Sequence, residues 1–278
     1  MANGMSNSMR GSKRSKDGPQ HKSPDGRGGV QSIQRAFSIL EEIACNGEGV
    51  GLAELSKKVG LHNSTTFHLV KTMTALNCIR QVKSTKHYAV GAALFALGSG
   101  AKSEIELVSV GNQVLEELAA ETGECAHLAV LSDRNIVTLA KAAGAGALQI
   151  KDRIGIVRPA HATALGKVLL AALPGDELDR LLRREELQRY TPRTVVKPEQ
   201  LLREIEEVRR TGTAFDDREF DLEMRCTAAA VRDNTGMIAA AIGISSPIWR
   251  LSMQGLAEKS RRVSEAAKRL ATLLWHAH

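Results

Sequence analysis

Residues 51–77 read GLAELSKKVGLHNSTTFHLVKTMTALN, and their reading decides the fold. Leu52, Leu55 and Val59 recur at helical spacing. Gly60 follows, where a helix can close in a left-handed residue without steric cost. Leu61 can plug the angle to a second helix, which Asn63 or Ser64 can cap. The spacing predicts an apolar stripe of Phe67, Leu69, Val70, Met73, Ala75 and Leu76 on that second helix. Its other face carries Thr65, Thr66, His68, Lys71 and Thr72, which are hydrogen-bonding or basic. Helix, glycine turn, then a helix with a small polar and basic face is the helix-turn-helix pattern, whose second helix enters the DNA major groove. An ordinary helical hairpin shares the pattern, so the surroundings decide.

Charge is the first of those surroundings. The 278 residues carry a net +7 at pH 7. Residues 1–102 hold 14 Lys+Arg against 6 Asp+Glu, and residues 103–278 hold 24 against 25. All the excess positive charge lies on the side of the chain that contains the helix-turn-helix, as a footprint for phosphates requires. A basic tail alone does not account for it, because residues 30–102 still hold 8 against 4.

Residues 1–29 are rich in Ser, Gly, Lys and Arg without apolar periodicity, and are expected to be disordered. Ile33, Ala36, Phe37, Leu40, Ile43 and Ala44 predict a first helix over 31–45. After the helix-turn-helix, residues 79–90 alternate around the turn STK as a small hairpin carrying Arg80, Lys83, Lys86 and His87. A basic hairpin behind a recognition helix is a wing, so residues 30–90 read as a winged helix-turn-helix. GAALFALGSGAK (91–102) suits a linker helix.

Residues 103–278 read as a second domain. An amphipathic helix over 105–122 leads into an antiparallel hairpin, CAHLAVL (125–131) and IVTLAKAAG (136–144). Residues 147–158 give a further extended segment. Helices follow over 161–173, 175–187 and 197–212, then the strand-like segments 226–233 and 237–246 and a last helix over 251–275. The class is α+β, with an antiparallel sheet flanked by helices, covered on one side and leaving room for a ligand.

Other classes find little support. No apolar run approaches the roughly 20 residues of a membrane span, and the N-terminus lacks a signal peptide's apolar core. A cytoplasmic protein is expected. Cys45, Cys78, Cys125 and Cys226 are scattered, so neither a disulfide framework nor a structural metal is expected, and no cofactor motif is present.

The ordered motifs now carry a resemblance. VQSIQRAFSILE, LAELSKKVGLHNSTTFHLVKTM, HYAVGAALFALG, RPAHATALGKVLLA and FDDREFDLEMRCTAAAVRDNTGMIAAAIGISSP, in that order and spacing, resemble the IclR family of bacterial transcriptional regulators. The resemblance covers everything but the tail. It implies a GAF-like C-terminal domain that binds an effector, and a homodimer or dimer of dimers on operator DNA. It further implies a small organic-acid or aromatic-carboxylate effector from a catabolic pathway, with repression the commoner mode. Carried over by position, the effector site would involve Ala164, Leu165, Asp216, Cys226, Gly243 and Ser245. The helix start at 162–165 offers backbone N–H groups, Ser245 a hydroxyl and Asp216 an acceptor. Each also has a plain structural reading: a buried thiol for Cys226, a turn cap for Asp216, close packing for Gly243.

Three departures stand out. His68 stands where the family often has Arg, Ala230 where it often has Pro, and Gly243 where some members have Ser. Losing that hydroxyl, in a pocket with Leu128, Val130, Leu165 and Met224 nearby, favours a bulkier, aromatic acid over a very small oxoacid. On the DNA side, Thr65, Thr66 and His68 are candidates for base edges. Ser64, Lys71, Arg80, Lys83 and Lys86 are candidates for phosphates, and Arg35 for the backbone or minor groove. Two rivals remain. One is a small-molecule hydrolase with a Cys-His-acid set drawn from His161, Asp216, Asp217, Glu219 and Cys226, for which no nucleophile elbow, metal spacing or phosphate loop is present. The other is a nonspecific nucleoid protein.

Overall fold

The computed structural model describes residues 30–100, 102–144, 154–184 and 186–275. The proposed tail over 1–29, and residues 147–153 of the extended segment, lie outside these. The chain divides into two compact units, one reaching Ala93 and the other beginning at Leu94.

The first unit holds α1 (Gln31–Ala44), α2 (Leu52–Lys58), α3 (Asn63–Ala75) and a hairpin of β1 (Ile79–Gln81) and β2 (Tyr88–Val90). Gly60 has φ +66°, the left-handed close expected between α2 and α3. Val50 and Tyr88 exchange backbone hydrogen bonds of 3.0 and 2.8 Å, which ties the α1–α2 loop to the hairpin. Ile39, Ile43, Val50, Leu55, Val70, Met73, Ile79 and Tyr88 form one buried core.

That core corrects three details. In α1 the buried residues are Ile39 and Ile43, with Ala36 and Leu40 beside them, while Ile33 and Phe37 stay over half exposed. At 3.6 residues per turn, Ile33 and Phe37 lie about 120° and 160° from Ile39, beyond the edge of a stripe this narrow. Phe67 on α3 and Leu76 at its C-cap are exposed as well. The cap of α3 is His62 rather than Asn63 or Ser64, and it makes no side-chain capping bond.

The second unit opens with α4 (Ala92–Gly98), a helix whose first residues belong to the first unit, and continues with α5 (Lys102–Thr122), β3 (Cys125–Ser132), β4 (Asn135–Ala142) and β5 (Val157–Pro159). A single 3-10 turn at Ala160–Ala162 then precedes α6 (Ala164–Leu170). The remainder is α7 (Gly175–Arg183), α8 (Pro198–Thr211), β6 (Thr213–Asp217), β7 (Met224–Arg232), β8 (Ile238–Pro247) and α9 (Met253–Trp275). The six strands form one antiparallel sheet in the order β5-β4-β3-β8-β7-β6. Inserting β8 between β3 and β7 places residues 125 and 226 in one cross-strand row, either side of Ser245, although a hundred residues separate them.

Both faces of the sheet are covered, where coverage on one side was expected. Leu115, Leu118, Val263 and Leu270 of α5 and α9 bury one face, against Ala126, Leu128, Ala140 and Ile242. Val168, Leu169, Leu178, Leu201 and Ile205 of α6, α7 and α8 pack on the other, against Ala129, Ile136, Ala214, Ala228 and Ala241. Each face excludes apolar surface from water at about 25 cal/mol per Å², so two helical layers stabilise the sheet from both sides. The second layer does not reach the sheet everywhere, and a cavity remains beside α6.

Candidate effector cavity and DNA-binding face

The cavity holds about 100 Å³ and lies on the α6 side of the sheet. Its floor is set by register. Cys125 on β3 and Cys226 on β7 both pair with Ser245 on β8, and Cys226 pairs with Asp216 on β6. Directly opposed residues in antiparallel strands point to the same face, so this row shares one side of the sheet. One step along, His127 opposes Gly243. His127 Nε2 lies 2.8 Å from Ser245 Oγ, a buried hydrogen bond that joins the two strands inside the site.

Asp216 is 2 % exposed. Burial pushes its carboxyl up to about 7, the nearby Glu219 charge adds to this, and the Glu219 N–H donated to Asp216 Oδ1 at 2.7 Å opposes it. Behind it, the buried Lys167 of α6 donates to Glu204 Oε2 and Glu219 Oε1 at 2.6 Å each and to Phe215 O at 3.3 Å. Burial alone would lower the Lys167 ammonium, but the two carboxylates outweigh it and raise it, so the lysine is charged. Thr163 caps α6: its hydroxyl accepts from Gly166 N and donates to Pro159 O.

The opposite rim is formed by Arg158 of β5 and Phe220 in the β6–β7 loop. The Arg158 guanidinium carbon lies 5.2 Å from the centre of the Phe220 ring, within cation–π range. Phe220 also packs on Tyr190 at 5.1 Å between ring centres, and Tyr190 on His161 at 5.9 Å.

Of the effector residues expected from sequence, Ala164, Leu165, Asp216, Met224, Cys226, Gly243 and Ser245 line this one cavity. Leu128 and Val130 do not. They lie on the opposite face of β3, where Leu128 is fully buried and Val130 partly buried against α5 and α9. A two-residue side-chain period separates them from His127 and Ala129 on the cavity side. Gly243 also has a packing reason to be glycine, since a Cβ there would meet Thr227 O at 2.6 Å. His127, Ile136, Thr138, Arg158, Thr163, Phe220, Asp221 and Thr227 line the cavity without having been expected. A lone polar side chain inside the apolar run CAHLAVL was the available signal for His127; nothing local marks Arg158 or Phe220.

The Cys-His-acid alternative does not assemble. His161 donates Nε2–H to Gln188 O at 2.9 Å and is not among the residues lining the cavity that Cys226 and Asp216 share. Among the described residues no group of three or more His, Cys, Asp or Glu is placed to hold a metal ion, and no helix is long and apolar enough to cross a membrane.

On the first unit, α3 presents Ser64, His68 and Lys71 to solvent with Thr65 half-buried, and the hairpin presents Arg80, Lys83 and Lys86. Arg35 on α1 is half-buried. Thr66 is a correction: it is fully buried and its hydroxyl donates to His62 O at 3.2 Å. It sits one turn from Val70 on the core stripe, so it faces away from any groove that His68 would enter.

The model of the IclR helix-turn-helix domain matches residues 32–83, and that of the bacterial transcriptional regulator IclR C-terminal domain matches residues 100–272. The chain belongs to the IclR family. It is 36 % identical over 243 residues to the transcriptional repressor IclR of Escherichia coli K12, covering 87 % of this chain and 89 % of that one. It is 33 % identical over 250 residues to the regulator KdgR of the same organism, covering 90 % and 94 %. The crystal structure of Thermotoga maritima IclR matches with a TM-score of 0.67 and 26 % identity, over 87 % of this chain and 98 % of that one. As an IclR-family member the chain is a DNA-binding transcriptional regulator under small-molecule control.

Proposed function

We propose that this regulator is a repressor of a catabolic operon, released or reset by a small organic acid that occupies the cavity beside α6. The observation that carries the reading is the pairing of two parts in one chain. One is an α3 face of Ser64, His68 and Lys71 beside the basic hairpin. The other is a cavity whose floor sets His127, Ser245 and Asp216 among apolar walls of Ile136, Leu165 and Met224. Polar groups converging in an otherwise apolar concavity suit a compact polar-ended ligand. Named relatives such as the Escherichia coli repressor support repression as the mode.

A homodimer fits this reading, because an operator of paired half-sites needs paired heads. Phe95 and Leu97 leave α4 with side chains 82 % and 74 % exposed, apolar surface of the kind a second copy covers. Effector binding then shifts the population of dimer geometries and with it the operator affinity.

The test combines two measurements on the full chain. Footprinting of DNA upstream of its own gene is expected to show one protected site that weakens or changes when acid is added. Thermal-shift screening is expected to find stabilisation by aromatic carboxylates, since a ligand of the native state raises apparent stability. Stabilisation by two- or three-carbon acids alone would remove the aromatic assignment. Protection spread evenly along the DNA would remove the sequence-specific one.

A further inference from the structure

We infer that Arg158 is the anion anchor of the effector cavity, holding the ligand with its carboxylate at the edge of the sheet and a hydroxyl at the floor. The inference rests on the cavity being the effector site, as proposed above.

Arg158 lies on β5, at one edge of the sheet, and Phe220 follows β6, at the other. With strands about 4.8 Å apart, the edges of a flat six-stranded sheet would be roughly 24 Å apart. The 5.2 Å contact between the two side chains therefore records how far the curl of the sheet and the β6–β7 loop bring its edges together. Arg158 and Phe220 both line the cavity on the α6 side of this sheet.

Charge then orients an occupant. Among the described residues that line the cavity, Arg158 alone is Lys or Arg. The floor is poorly built for an anion. Asp216 places a second carboxyl there, the Ser245 hydroxyl is already bonded to His127, and Gly243 contributes no side chain. The same floor suits a hydroxyl, which can donate to Asp216 or bond with the His127–Ser245 pair. Between floor and rim lie Ile136, Leu165 and Met224. The Phe220 ring holds the guanidinium carbon at 5.2 Å, and a guanidinium is the side chain whose planar N–H fork matches a carboxylate. Asp221 on the same rim is exposed, so water and salt screen its charge. The occupant this describes is a hydroxyaryl carboxylate: an acid group, a flat apolar body and a hydroxyl at the far end.

The probes are 4-hydroxybenzoate and its neutral counterpart 4-hydroxybenzamide, titrated calorimetrically into the full chain. Wild type is expected to prefer the acid by about tenfold to a hundredfold, the range for a bond to a charged group. Arg158→Gln is expected to abolish that preference, and Arg158→Lys to keep part of it because the charge remains. Ser245→Ala is expected to weaken acid and amide together, since both carry the hydroxyl. An unchanged preference in Arg158→Gln, or no preference in wild type, overturns the anchor. If Ser245→Ala still weakens binding in that case, the cavity remains the effector site and only the anchor falls. If wild type binds neither probe, the anchor falls as stated for this ligand class. Thermal melts of each variant without ligand separate lost contact from lost fold: an Arg158→Gln protein that melts like wild type yet keeps the preference leaves no role for the guanidinium.

Discussion

The Lys167 ammonium sits 2.6 Å from Glu219 Oε1, in the buried layer beside the cavity of the second unit. Lys167 is 2 % exposed and the Glu219 side chain 10 %. Removing one partner of such a pair leaves an uncompensated buried charge, which typically costs about 3–5 kcal/mol. Lys167→Met is therefore expected to lower the unfolding free energy of the full chain, measured by urea titration, by an amount in that range. A loss under about 1 kcal/mol would mean that Glu219 takes up a proton or reaches water without strain.

Asp216 sets a pH dependence of defined sign. Its carboxyl titrates near 7 in the folded protein, pushed there by burial, against 3.8 for an ordinary aspartate. Between those values the folded protein holds a proton that the unfolded chain has released, so the contribution of this group to stability is complete below pH 4 and is lost as pH rises towards 7. The whole difference is worth about 4 kcal/mol. Asp216→Asn is expected to flatten the fall in stability between pH 4.5 and 7.5, measured as unfolding midpoints. Parallel curves for wild type and variant would show that Asp216 is ionised throughout.

On α3 the buried and exposed threonines separate. Thr66 is buried against the core and bonds to its own helix, so Thr66→Val is expected to leave operator affinity within about twofold while costing at most about 1 kcal/mol of stability. His68→Ala, on the exposed face, is expected to cost about 1–3 kcal/mol in operator binding and to relax preference at one base pair. Gel-shift titrations on matched and single-substituted duplexes read both. Equal losses from the two substitutions would place α3 differently in the groove.

The contrast between Thr66 and His68 shows where the sequence was legible. Gly60, the Val70–Met73 stripe and the wing charges are local signals, and each appears where expected. Threonine suits either environment, so residue type does not tell Thr66 from its exposed neighbours. Sequence alone does not separate Leu128 and Val130 from the cavity face, because β3 is covered on both sides and CAHLAVL carries apolar residues in both of its alternating sets. The floor row of Asp216, Cys226 and Ser245 was reachable through family motifs. Arg158 and Phe220 were not, since their meeting depends on how far a six-stranded sheet curls, and neither residue carries that information in its neighbours.

The wing makes a prediction in salt. Lys83 and Lys86 are exposed on the β1–β2 turn, Lys86 with φ +59°. If each neutralises a phosphate, the double change to Gln is expected to reduce the slope of log K against log salt by about 1.8. An unchanged slope, with binding weakened uniformly or not at all, would remove the hairpin from the DNA interface.

The central claim is that occupancy of the cavity controls the affinity of the head. Fluorescence anisotropy on a duplex selected from a random pool measures it directly, with wild type and with Ser245→Ile, which fills the floor. Adding 4-hydroxybenzoate is expected to change the operator Kd of wild type by about 5- to 150-fold, the usual range of coupling between two sites, and to leave the filled variant unmoved. Acid that binds the wild type without changing its operator Kd, or that changes the Kd of both proteins alike, would contradict the account.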